Sequence, residues 1–270
     1  LSYLPSHHME PPPDAPVPEG SGADMPGILD LVPESMNRVY DVRKVVRCIV
    51  DRDSLFEMKS RYGRAIVTAL ARLDGRSVGI VANNPLHRGG AIGADECQKV
   101  QSFFVLCDSF NIPIVMLVDQ PGFLIGLEGE QKGVTGKVMN WLNAMTLVTV
   151  PKLSVIMRKS YGLAVSNMGA GGNADEVACW VTAEVSFMKP EFGARVVFGA
   201  DPADREAYAA AVAKMSKGTT AYDSAAVYTA QDVIDPRDTR DWLIRMLEVH
   251  RLRLAGGVGQ HLMRTWPTSY

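Results

Sequence analysis

Ile112-Pro113-Ile114-Val115-Met116-Leu117-Val118-Asp119-Gln120-Pro121-Gly122 is an apolar run halted by an acid, an amide, a proline and a glycine. Apolar residues without alternation over that length read as a strand buried on both faces. Just upstream, Ala94, Cys97, Val100, Phe104 and Cys107 recur at helical spacing. The same order returns downstream. Val134, Val138, Trp141, Leu142, Met145 and Val148 make a second helical stripe, and residues 153–157 make a second strand that closes on Ser160-Tyr161-Gly162. Helix, strand and glycine, twice over, predict an α/β fold with parallel strands.

Working outward, residues 65–73 and 78–82 are apolar and flank Asp74-Gly75, a strong hairpin signal. Val42, Val45, Val46, Ile49 and Val50 predict a helix, followed by a turn from Asp53-Ser54 to about Met58. A third strand is expected over residues 177–181 with a partner near 185–188. Helices are expected over 203–215 and 239–254, with Asp235-Pro236 as N-cap and first helical residue of the latter. Eight of the sixteen prolines fall within the first 33 residues. Proline removes donors and restrains its predecessor, so residues 5–33 read as an extended arm or linker. Residues 256–270 read as a loose tail.

Composition narrows the function. Lys+Arg number 28 and Asp+Glu 30, a formal charge of −2, which argues against a nucleic-acid partner. The 270 residues are 47% hydrophobic, enough for a core without disulfides. Cys48, Cys97, Cys107 and Cys179 form no CxxC pair and no zinc-ligand spacing, so a reducing compartment and no metal are expected. No run approaches the ~20 apolar residues of a spanning helix, and no signal peptide opens the chain. The reading is a cytoplasmic protein, or one of an organelle matrix if the source is eukaryotic. Because residue 1 is not Met, the chain is expected to be processed or excerpted.

In parallel sheets ligands sit at the carboxyl ends of strands, near helix N-termini with free amides. Three glycine turns qualify: Arg88-Gly89-Gly90-Ala91, Pro121-Gly122-Phe123 and Tyr161-Gly162-Leu163-Ala164. Each is also explicable as a plain turn. Two amides aimed at one point would make an oxyanion hole. Gly169-Ala170-Gly171-Gly172 lacks the Lys-Ser/Thr of a phosphate loop and reads as a flexible loop. Asp175 and Glu176 serve either as an acid/base pair or as solvated acids. The five histidines stand in no ligand or triad motif. Met58-Lys59 and Met188-Lys189 lack the all-β context of a biotin acceptor.

Tyr40-Asp-Val-Arg-Lys-Val-Val-Arg-Cys-Ile-Val-Asp, Ala71-Arg-Leu-Asp-Gly-Arg, Val118-Asp-Gln-Pro-Gly-Phe-Leu-Ile-Gly, Thr149-Val-Pro-Lys, Arg158-Lys-Ser-Tyr-Gly and Trp180-Val-Thr-Ala-Glu carry a family likeness. In order and spacing, from about residue 34 to 253, they resemble the carboxyltransferase β subunits of biotin-dependent acyl-CoA carboxylases. The resemblance implies a crotonase-type fold, a spiral of ββα units, over residues 34–255. It also implies that residues 1–33 are the end of a preceding N-terminal domain plus a linker. The active site would form between the N domain of one subunit and the C domain of another.

The implied activity is transfer of CO2 from carboxybiotin to the α carbon of an acyl-CoA, with the biotin ureido nitrogen as base. The protein then supplies placement and backbone donors. By resemblance Gly162, Leu163 and Ala164 occupy the oxyanion position, with the amides of Leu163 and Ala164 as donors. Pro121, Gly122, Phe123 and Tyr161 line the biotin pocket, and Gly89 and Gly90 are candidates for a second donor. Val165 and Ser166 border the acyl pocket. The implied partners are acyl-CoA, a biotin carboxyl carrier, a biotin carboxylase and further copies of the subunit in a homo-oligomer, a hexamer by resemblance. Departures from the family pattern are Leu163 for its second glycine, Val165-Ser166 for an aromatic residue and Asp, and Lys189-Pro190-Glu191-Phe192 for a glycine-rich turn. Those changes keep two alternatives open: a biotin-independent decarboxylase or hydratase of the same fold, and a scaffold subunit without activity.

Overall fold

The computed structural model describes residues 1–263. Its eight strands are β1 (Phe56–Met58), β2 (Ile66–Leu73), β3 (Arg76–Asn83), β4 (Ile114–Gln120), β5 (Lys152–Tyr161), β6 (Glu176–Trp180), β7 (Glu184–Ser186) and β8 (Asp232–Ile234). They form one sheet in the order β1-β2-β3-β4-β5-β6-β8, with β7 on the edge of β5. The first pairings, β1 with β2 and β2 with β3, are antiparallel; from β3 onward every pairing is parallel. The β2–β3 hairpin turns at Asp74 (φ 54°) and Gly75 (φ 78°), the paired positive angles that a tight two-residue turn needs.

Both faces of the sheet are covered, which is why β4 reads as unbroken apolar sequence. Ile114, Met116 and Val118 pack with Phe104 of the Ala94–Ser109 helix and Trp141 of the Val134–Leu147 helix. Val115 and Leu117, one residue out of phase, join Val45 of the Val42–Ile49 helix and Leu243 of the Thr239–Arg251 helix. The strand period of two thus assigns each residue to a core. Among the described residues, no helix is long and apolar enough to cross a membrane.

Some elements differ from the sequence-based expectation. Residues 56–58, expected to end a turn, form β1, with Phe56 opposite Leu70. The segment expected to partner β6 is β7, and it pairs with β5 instead. That is possible because β5 runs to ten residues: its first half takes β6 along one edge (Leu153 opposite Glu176) and its last turn takes β7 (Tyr161 opposite Ser186). The Gly169–Gly172 stretch is tightly seated at its start, for a Cβ on Gly169 would lie 2.9 Å from Met116 and Ser154. Asp175 and Glu176 are engaged structurally, Asp175 with Arg253 and the Lys152 amide, and Glu176 with His250. A further helix, Pro190–Phe198, opens with Pro190 in its first turn.

Residues 1–33 pack against the domain, their first half partly along the hairpin. The Tyr3 hydroxyl donates to the Ser54 carbonyl, the Arg72 guanidinium donates to the carbonyls of Ser2 and Pro13, and the Ala15 amide donates to that of Gly75. Met25 and Ile28 enter the core. In the segment read as a tail, the amides of Gly259 and Gln260 donate to Asn111 and Thr149; residues 264–270 lie outside the described residues.

Candidate functional site

The three glycine turns gather at the carboxyl ends of β3, β4 and β5, where neighbouring parallel strands deliver them side by side. The turn after β4 is stitched to the one after β3: the Ile92 amide donates to the Gly122 carbonyl and the Leu124 amide to Ile92. A Cβ on Gly122 would lie 3.7 Å from the Tyr161 carbonyl, so the second and third turns also touch. Gly89, Pro121 and Tyr161 line one cleft of about 190 Å³. A larger cavity, about 580 Å³, lies at the opposite end of the parallel strands, against Pro113 and Pro151. The smaller cleft is the one lined by residues of all three glycine turns, and we take it as the candidate site.

The Tyr161–Ala164 turn has the features of an oxyanion site. Gly162 takes φ 67°, and its amide donates to the Ser186 carbonyl at 3.0 Å. The next two amides, those of Leu163 and Ala164, donate to no acceptor among the described residues. They open the short Ala164–Asn167 helix, whose carbonyl-side bonds start with Val165 to Gly162 and Ser166 to Leu163. Leu163 keeps ordinary helical angles (φ −60°, ψ −25°), and the residue is 58% exposed. Tyr161 is buried, its hydroxyl donating to Glu184 at 2.7 Å; burial and that carboxylate push the phenol far above its ordinary range.

Below the cleft lies a charged floor that sequence reasoning left without a role. Asp119, fully buried, accepts from the Tyr40 hydroxyl at 2.8 Å, from Arg158 Nε at 3.0 Å and from Lys159 Nζ at 2.6 Å. Adjacent strand residues normally face opposite sides of a sheet. Here they do not, because the β4–β5 register jumps: Val118 faces Ile156 but Gln120 faces Ser160. One residue of β4 therefore spans three of β5, a bulge that lets Arg158 and Lys159 both reach one carboxylate. Arg158 also donates to the carbonyls of Pro33, Ser35 and Arg38, tying the 33–38 segment to the cleft wall. Burial pulls the Lys159 ammonium below the usual lysine range against the opposing influence of Asp119.

The remaining predicted residues fall around this centre. Gly90 is buried with its amide committed to the His87 carbonyl, so of the pair only Gly89 offers a donor without an acceptor among the described residues. Phe123 and Val165 pack against the helical core beside the turns. Ser166 sits at the far end of the same short helix, its carbonyl accepting from Asn173. The signal that could have exposed the floor was two adjacent cations, Arg158 and Lys159, in a segment otherwise buried.

A sheet of this topology with a strand-end amide site defines a class, the crotonase-like carboxyltransferase domains. Residues 1–254 match the family model described as the carboxyl transferase domain, and the chain belongs to that family. It is 38% identical over 260 residues to the methylmalonyl-CoA carboxyltransferase 12S subunit of Propionibacterium freudenreichii subsp. shermanii, covering 93% of this chain and 49% of that protein. It is 35% identical over 263 residues to a biotin-dependent long chain acyl-coenzyme A carboxylase beta4 subunit of Mycobacterium tuberculosis, covering 94% and 50%. The crystal structure of the transcarboxylase 12S hexamer with methylmalonyl-coenzyme A bound superposes with a TM-score of 0.87 at 37% identity, over 93% of this chain and 49% of that one. The chain thus spans about half the length of these relatives.

Proposed function

We propose that this chain provides the carboxybiotin-receiving half of a biotin-dependent acyl-CoA carboxyltransferase, which moves CO2 from carboxybiotin to the α carbon of an acyl-CoA. The observation that carries the reading is the pair of unengaged amides, Leu163 and Ala164, at the end of β5 beside the cleft. Two donors on successive residues suit one oxygen that gains negative charge, and in a water-poor site they need no reorganisation when that charge appears. The donor set fits the ureido oxygen of biotin, a neutral acceptor that becomes anionic when CO2 departs; biotin, when bound on its carrier, supplies the carboxyl group and the base. Tyr161, fixed by Glu184, walls the cleft and sets the turn that aims the two amides. Gly122 leaves room above the Tyr161 carbonyl for close approach. The relatives' names support an acyl-CoA substrate, biotin dependence and, for the transcarboxylase 12S subunit, a hexamer; a biotin carrier and a biotin carboxylase are the partners this reading requires.

The test removes one amide at a residue whose own φ suits proline, with melting curves checking that the Gly162 turn tolerates the proline after it. Leu163→Pro removes the N–H at a residue whose φ of −60° already suits proline, while Leu163→Ala retains it. In the full-length subunit with its carrier and carboxylase, L163A is expected to retain carboxylation within a few-fold. L163P is expected to lose about 10²–10³ in kcat. Equal rates for the two variants would remove the amide from the reaction, and absence of transfer to every acyl-CoA by the wild type would end the reading itself.

A further inference from the structure

The cleft is charged in a way its proposed oxyanion chemistry does not require. Four of its eleven lining residues are cationic, Arg38, Arg158, Lys159 and Lys189, and none is acidic, although the chain as a whole carries a formal charge of −2. Two of these cations are consumed by structure to different degrees. Arg158 spreads its donors over Asp119 and three backbone carbonyls. Lys159 has three N–H donors. One goes to Asp119, and no other acceptor is found for it among the described residues. Lys189 arrives from the other side, since the chain leaving β7 passes the Gly162 turn: a Cβ on Gly162 would lie 3.6 Å from the Phe187 carbonyl. Its ammonium is held loosely by Asn37 Oδ1 at 3.2 Å and Glu191 at 3.8 Å, and it lines the same cleft as Lys159.

Two ammonium groups line one small cleft that has no acid in its lining; each keeps one carboxylate partner, Asp119 or Glu191, and has further N–H donors to offer an anion between them. Bare biotin presents a neutral ureido ring, which offers them a carbonyl dipole but no charge. The carboxylated ring presents a carboxylate. The cleft, at about 190 Å³, is small for the nucleotide end of coenzyme A and suits a compact anionic head.

Resting on the function proposed above, we propose that Lys159 and Lys189 hold the carboxylate of the carboxylated ureido ring, so that the site selects the loaded carrier over the spent one. Lys159 acts from the floor, positioned by Asp119, and Lys189 acts from the partly exposed side of the cleft. No bond is made or broken by either residue. Their work is recognition, and release of the spent carrier follows from loss of the charge they bind.

The experiment measures equilibrium binding of the carrier domain to the full-length subunit by calorimetry, with the carrier's biotin either carboxylated or bare, at mildly alkaline pH in the cold where the carbamate persists. Wild type is expected to prefer the carboxylated carrier about tenfold, or about 1.4 kcal/mol. Lys189→Gln is expected to reduce that preference to about threefold or less while changing affinity for the bare carrier less than twofold, and Lys189→Arg to restore most of it. Lys44→Gln, which removes an exposed charge from the Val42–Ile49 helix, retains the wild-type preference. Lys159→Met is the floor variant; should it fail to fold, the Lys189 series decides. An unchanged ratio in K189Q, equal weakening toward both carriers, or weakening toward coenzyme A instead overturns the inference. Those outcomes leave the functional proposal standing whenever the wild type still transfers a carboxyl group to an acyl-CoA; if it transfers none, both fall together.

Discussion

Asp119→Asn tests whether the charged floor is held by one carboxylate. The substitution keeps the volume, removes the only carboxylate within reach of Arg158 and Lys159 that the described contacts show, and turns an N–H₂ toward a site filled with donors. All three groups are buried, Asp119 at 0%, Arg158 at 2% and Lys159 at 6% exposure, so solvent cannot replace the lost partner. Removing one member of a buried ion pair costs about 3–5 kcal/mol. Lys159 can lower that cost by shedding its proton, which burial already favours, so a value near ~3 kcal/mol is expected at neutral pH. Against a typical total stability of about 5–15 kcal/mol this is a large share. At about 2–4 °C per kcal/mol it corresponds to a fall in Tm of about 6–12 °C. Tyr40→Phe removes one donor from the same carboxylate and leaves the others, so it is expected to cost about 1 kcal/mol. Thermal and urea unfolding of both variants in the full-length subunit provide the comparison. If D119N costs no more than Y40F, the floor is not organised by that charge.

Gly90→Ala places a Cβ 2.7 Å from the Asp119 carbonyl at φ 85° and is expected to lower Tm sharply, while Gly89→Ala at φ 64° meets nothing within 4 Å and costs only the left-handed strain of about 1–2 kcal/mol; melting curves of the two variants separate clash from strain, and equal losses would refute the contact. Lys99 Nζ donates to the buried carbonyls of Gly63 and Ile66, and burial lowers its pKa from 10.5 to about 8. Between those values the unfolded chain holds more protons than the folded one, so stability rises with pH through that window by at most about 1.4 kcal/mol per pH unit. Lys99→Met abolishes the effect, so wild type is expected to gain on K99M from about pH 8 upward in denaturant titrations; parallel pH profiles would exclude it.

The parts of the fold that obey one local rule were legible. Val115 and Leu117 alternate with Met116 between two cores, and Asp74-Gly75 makes the turn its residue types require. The glycine turns were legible for the same reason, and three of the predicted residues, Gly89, Pro121 and Tyr161, meet in one cleft. What escaped was decided by pairing between distant segments. Residues 184–186 look the same whether they pair with β6 or with β5, and only the length of β5 chooses. Gly90 looks like a free donor until His87 is placed beneath it. Asp119, Arg158 and Lys159 stand in quoted motifs, yet their convergence depends on a register jump that no period in the sequence announces.

That jump limits how the chain can vary. From Ile156 to Ser160 the strand behaves as a ruler: its count of residues, as much as their identity, brings two consecutive cations to the same side. Losing one residue there would turn Arg158 or Lys159 to the opposite face with the composition almost intact. Arg158 and Lys159 are therefore heritable as a spaced unit, tied to Asp119 across the sheet, and neither can drift alone without leaving a buried charge behind.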